Sequence, residues 1–149
     1  LSEDAALCEQ LRAEPALIPR FIEELLRLAS PVQGQFRKTT RDVVLADVEI
    51  PEGSLLHVRL ASANRDETTF GPMSDAVDLA ANRRQQHMSF GAGLHFCVGA
   101  MLSRLELRHA FAKLLAEFSM IELARPRDEL AYAPSFHLRG LTQLPVRFT

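Results

Sequence analysis

The sequence predicts a mainly α-helical fold with small β-sheets, and three patterns point to it. Apolar residues recur at helical spacing in Phe21, Ile22, Leu25 and Leu26, and a second, longer stretch of such spacing covers residues 101–118. Between them lie short β-branched runs bounded by turn residues, such as Val43-Val44-Leu45 and Val48-Glu49-Ile50. With 149 residues and 47% hydrophobic content, the chain is long enough for one packed domain.

The first helix is expected over residues 2–13. Ser2 offers an N-cap oxygen, Glu3 and Asp4 place acids in the first turn, and Pro15 disfavours helical backbone at Glu14. A second helix is expected to begin at Pro19, a residue tolerated at a first helical position, and to stop at Ser30-Pro31. The two short runs flanking Ala46-Asp47 read as a tight hairpin. Pro51-Glu52-Gly53 is a turn, and residues 55–60 form a further strand. Residues 61–89 show little periodicity beyond one helical turn near 63–67. A loop this long inside a compact domain usually serves a function or wraps something. A long helix over residues 99–118 carries Met101, Leu102, Leu105, Phe111, Leu114, Leu115 and Phe118 as an apolar stripe. The tail alternates Met120-Ile121 and Pro145-Val146-Arg147-Phe148 with turns at Arg125-Pro126 and Arg139-Gly140, which predicts short strands. The chain opens inside a helical pattern without an initiator Met, so a piece of a longer protein is expected.

Seventeen basic against 19 acidic residues give a net charge of −2, which does not imply nucleic acid as a partner. No apolar run approaches the ~20 residues that span a membrane, and no signal-peptide pattern opens the chain. The expected setting is a reducing cytoplasm. Two cysteines, Cys8 and Cys97, do not resemble a secreted disulfide scaffold. Neither has a second cysteine at the spacing of a zinc site.

The chemistry concentrates in Phe90-Gly91-Ala92-Gly93-Leu94-His95-Phe96-Cys97-Val98-Gly99. This string puts one cysteine in a glycine-punctuated loop directly before the long helix. Glycine lacks Cβ and lets the backbone approach a flat group closely. The positive end of a helix favours the thiolate, the form that binds metal. The string resembles the haem-ligating loop of the cytochrome P-450 family, Phe-Gly-x-Gly-x-His-x-Cys-x-Gly, and every fixed position is filled.

The resemblance covers nearly the whole chain. It implies that residues 1–149 are the C-terminal, haem-binding part of a single P-450 domain, without its distal helix and N-terminal part. It implies a haem b cofactor with Cys97 as catalytic centre and proximal iron ligand. The implied activity is a bacterial-type monooxygenase that inserts one oxygen atom of O2 into a small organic substrate. Thiolate donation favours O–O cleavage, and the electrons come from a ferredoxin or flavodoxin. Phe90 then shields the sulfur, Gly91, Gly93 and Gly99 permit the tight loop, and His95 contacts a haem propionate. Arg37, ten residues after Arg27, resembles the arginine that reaches a propionate from the sheet side. Its two-pronged donor geometry matches a carboxylate, and an exposed strand arginine is the other reading.

Glu24 and Arg27 resemble the family's helix pair that braces the fold behind the haem. Alone, such a pair is an ordinary contact between residues three apart. In the family an arginine completes that network. The matching position here is Ala81, with Arg83 and Arg84 near enough to substitute, and Val77 stands where an aromatic is common. Substrate-facing positions implied by the resemblance are Val32, Gln33, Gly34, His137 and Leu138. Arg104 and Arg108 lie one turn apart and resemble a basic face that receives an acidic electron donor. A merely solvated helix face is the other reading. The departures at Ala81 and Val77 keep open a non-catalytic P-450-derived module that recruits a partner protein, which the retained Cys97 opposes. Without a distal wall, the 149 residues alone are expected to be inactive.

Overall fold

The computed structural model describes residues 2–80 and 87–149. Helix α1 (Ala5–Ala13) is capped by Asp4, whose carboxylate accepts from the Leu7 N–H at 2.9 Å. The helix therefore begins after Asp4 and not at Ser2. An N-cap needs non-helical backbone, and Asp4 supplies it with φ −141° and ψ 88°. Helix α2 (Ile18–Ala29) begins one residue before Pro19, which sits in its first turn. Its buried Ile18, Phe21 and Ile22 meet Cys8 and Leu11 of α1 and Leu115 of the long helix α3 (Ala100–Glu117). Phe21 and Phe111 meet edge to face with centroids 5.2 Å apart. Such a pair adds roughly 0.5–1.5 kcal/mol beyond its burial.

The apolar residues of α3 do not form one buried stripe. Leu107, Phe111 and Leu115 follow the four-residue spacing of a single face and turn toward α1 and α2, and Ala100 on that face is also buried. Met101, Leu102 and Leu105 fall on the far side and are 78%, 59% and 51% exposed.

Strand β1 (Gln35–Lys38) pairs antiparallel with β4 (Leu55–Val58), and β2 (Val43–Leu45) pairs with β3 (Val48–Ile50). Ala46 and Asp47 both adopt positive φ, 47° and 62°, as a two-residue hairpin turn with the twist of its strands requires. The fourth strand stops at Val58, paired with Gln35, and Leu60 instead starts a short buried helix, Leu60–Ala63. A second short helix, Glu67–Phe70, is capped by Asp66. One helical turn near 63–67 is thus replaced by two four-residue helices on either side of Asn64-Arg65-Asp66. Strands β5 (Ile121–Leu123) and β6 (Val146–Phe148) pair as the tail pattern predicts. No helix among the described residues is long and apolar enough to cross a membrane.

Candidate functional site

Arg27 is 1% exposed and spends every N–H it has. Nε and Nη2 grip the two Glu24 carboxylate oxygens at 3.0 and 2.8 Å. The remaining donors reach the carbonyls of Asn64 at 2.9 Å, Ala76 at 2.9 Å, and Ser74. Glu24, 5% exposed, also accepts from the Asp78 N–H at 3.0 Å. The guanidinium lies 5.0 Å from the centroid of the Phe70 ring. Glu24 and Arg27 are therefore a buried fork pair that organises residues 64–78 by their backbone. Ala81, Arg83 and Arg84 lie outside the described residues; Val77 is half-buried against the core.

Asn64, fully buried, carries this order to the cysteine loop. Its amide donates to the Arg27 carbonyl at 3.1 Å and to Ser89 Oγ at 2.9 Å, and its Oδ1 accepts from Met88 N–H at 2.6 Å. Ser89 Oγ in turn donates to the Leu26 carbonyl at 2.7 Å. The turn before the loop is thereby pinned to the end of α2.

Within the loop, Gly91 and Gly93 have φ of +71° and +72°, a region L side chains avoid. Gly99 differs, with φ −83°; a Cβ there would sit 3.8 Å from Cys97 Sγ, an ordinary contact. The Cys97 N–H donates to the Phe90 carbonyl at 2.9 Å, closing the loop just before α3. Cys97 is a free, exposed thiol, while Cys8 is buried. The sulfur's residue borders a largely apolar recess of about 570 Å³, shared with Leu26, Val32, Phe90, His95 and Leu107.

The positions expected to face substrate converge although they lie about a hundred residues apart in the chain. Val32 bridges Leu138, and the Gln33 N–H donates to the His137 carbonyl at 2.7 Å. Gly34 is buried, and a Cβ there would come within 2.8 Å of the Val58 carbonyl oxygen and closer still to His57 Nε2. Glycine is required at that crossing by packing. Arg37 is exposed on β1 and donates to its neighbours, Phe36 O at 2.8 Å and Gln35 Oε1 at 2.7 Å. His95 is exposed at the recess.

Arg104 is not a free surface cation. Its Nε and Nη2 grip Glu23 at 2.7 and 2.9 Å, and its guanidinium lies 4.7 Å from the Phe90 ring centroid. Arg108, one turn on, is exposed. His87 carries no sequence pattern, yet it is buried beside this pair. Its Nδ1 accepts from the Ser89 N–H at 3.2 Å, and its Nε2 stands 3.3 Å from Glu23 Oε2, poorly aligned for a full hydrogen bond.

Burial acts to raise the Glu23 pKa, but His87 and Arg104 together outweigh it and hold the carboxyl at about 2 instead of 4.5. A depressed carboxyl stabilises the fold above its unfolded pKa and loses that contribution as pH falls through its folded value. The urea midpoint of the wild type should therefore exceed that of Glu23→Gln near neutrality. The gap should shrink as pH falls below 4.5 and close near 2. Because Glu23 is 43% exposed, solvent screening keeps the difference to at most about 1 kcal/mol. A gap independent of pH would show that the carboxyl does not titrate with folding.

The cytochrome P450 family model matches residues 1–140. Cytochrome P450 107B1 of Saccharopolyspora erythraea is 46% identical over 138 residues, 92% of this chain and 34% of the relative. The chain belongs to the cytochrome P450 family. The vitamin D(3) 25-hydroxylase of Pseudonocardia autotrophica is 42% identical over 91% of this chain and 34% of its own length. The structure of P450BioI in complex with hexadec-9Z-enoic acid ligated acyl carrier protein superposes with a TM-score of 0.91 at 35% identity. That match covers 100% of this chain and 38% of the other. The chain thus spans about a third of the length of the P450 relatives it matches.

Family membership implies haem, and the residues present fit it. A flat apolar cofactor needs an accessible ligand atom beside an apolar wall and backbone without side chains in its path. Cys97 is exposed at the recess, and a Cβ on Gly93 would meet nothing within 4 Å, so the loop is open there. Leu94 and Val98, both 103% exposed, offer apolar surface on the same loop. Three residues that the structure places beside the loop escaped the motif reading: Glu23, Asn64 and His87. Asn64 had a faint signal, a polar residue directly after the mostly small and apolar Leu60-Ala61-Ser62-Ala63.

Proposed function

We propose that this chain is the proximal, haem-holding part of a P450 monooxygenase, with the Cys97 thiolate as the iron ligand. The observation that carries this reading is the exposed Cys97 at an apolar recess, in a loop turned by Gly91 and Gly93 at the start of α3. When bound, haem b supplies the reduction of O2 and transfer of one oxygen atom to a C–H bond, the other leaving as water. Cys97 donates charge to the iron, Phe90 keeps water from the sulfur, and His95 and Arg37 receive the propionates. Arg37 must leave Gln35 to do so. Val32 and Leu138, with Gln33, Gly34 and His137 around them, face a small organic substrate. The names vitamin D(3) 25-hydroxylase and hexadec-9Z-enoic acid among the relatives support an apolar one. Cys97 is a free thiol, which suits a reducing cytoplasm. A haem needs cover on both faces, so the 149 residues alone should bind it weakly and turn over nothing. The test is carbon monoxide added to the reduced full-length protein: a red-shifted Soret band supports thiolate ligation, and an imidazole-type band overturns it.

An acidic ferredoxin or flavodoxin is the proposed electron donor, docking against α3. Since Glu23 already neutralises Arg104, the exposed Arg108 should carry more of the steering. Arg108→Glu is expected to slow second-order haem reduction several-fold at low ionic strength, with the difference fading at high salt. Equal rates at low salt would place the donor elsewhere.

A further inference from the structure

The pair Glu23–Arg104 joins α2 to α3, yet makes no hydrogen bond to the loop backbone among the described residues. What it does touch is the Phe90 ring. The guanidinium lies 4.7 Å from that ring's centroid, fixed from behind by both Glu23 oxygens. His87 and Phe96 flank the same ring at 5.8 and 6.3 Å between centroids. Phe90 in turn is tied to the ligand residue, since its carbonyl accepts the Cys97 N–H and both residues border the recess.

We propose that Glu23 and Arg104 are positioning residues: together they hold the Phe90 ring beside the Cys97 sulfur, and through that ring set how much charge the thiolate gives to bound haem. This rests on the haem-thiolate reading above. A planar guanidinium held at two points can stack on a ring and keep it in one place; an ammonium is a point charge on a flexible stem, without the planar stack or the rigid fork. If the clamp is lost, the ring swings and water reaches the sulfur. Water hydrogen bonds stabilise the thiolate's charge on sulfur, weaken its donation, and make the iron easier to reduce.

The sign of the shift at Arg104 separates this from simple charge, since loss of the Glu23 charge eases reduction on either account. Without positioning, Arg104→Lys would be silent, and Arg104→Gln, by removing a positive charge, would make reduction harder. With positioning, Glu23→Gln, Arg104→Lys and Arg104→Gln all make reduction easier. The expected change is at least threefold in the one-electron equilibrium, ~28 mV at 59 mV per tenfold. In a Phe90→Leu background, Glu23→Gln should add nothing further. The experiment is spectroelectrochemical titration of the full-length haem protein and these variants, each first checked for the thiolate-type carbon monoxide band. A wild type without that band overturns the haem-thiolate reading. A normal band with a silent Arg104→Lys, or a Glu23→Gln shift that persists without Phe90, overturns the positioning role. Should Arg104→Gln fail to take up haem, Arg104→Lys still decides.

Discussion

Replacing Cys97 with histidine in the full-length haem protein should move the carbon monoxide band of the reduced form from the red-shifted thiolate position to the ordinary imidazole position. Oxygenation should fall to background. The loop's geometry makes this a clean exchange of ligand atoms. Gly91 and Gly93 turn the backbone, and the Cys97 N–H to Phe90 carbonyl bond closes it. None of these depends on the side chain at 97. What changes is donation: an imidazole is neutral, whereas a thiolate pushes electron density to the iron and favours O–O cleavage. An unchanged spectrum in the variant would remove Cys97 from the iron.

The second large effect belongs to Glu24. Replacing it by glutamine leaves the shape and removes the charge that faces Arg27, which is 1% exposed. Breaking a buried pair in this way strands a charge and costs on the order of 3–5 kcal/mol, against about 1 kcal/mol or less for an exposed pair. The loss should be read from urea midpoints of the full-length protein. A change below about 1 kcal/mol would mean that the carbonyls of Asn64, Ser74 and Ala76 suffice to hold the guanidinium's charge.

The two longer helices, the hairpin at Ala46-Asp47 and the tail strands were legible because each repeats a local rule over enough residues to stand out. Helices of four residues were not. Leu60–Ala63 and Glu67–Phe70 span barely one turn each and have no period to detect. The site divided in the same way. Phe90, the glycines, His95 and Cys97 form one contiguous string, so their grouping was visible. Glu23 meets Arg104 across 81 positions, and Asn64 meets Ser89 across 25. Such meetings depend on how helices pack. The stripe on α3 failed for a related reason: apolar spacing fits more than one face of a helix, and only the neighbours choose among them. Arg104 was visible as a cation, but its partner on α2 was not.

The Arg27 fork has a consequence for how this protein breathes. Residues 64–76 take their shape from carbonyls gathered on one guanidinium, and Asn64 passes that order to Met88 and Ser89. Helix end, irregular segment and cysteine loop therefore share a single latch. Local opening of any one exposes the same buried charge, so the three should open as one cooperative unit rather than fray separately. The mobility of the cysteine loop is then governed in part from α2, through Asn64 and Ser89.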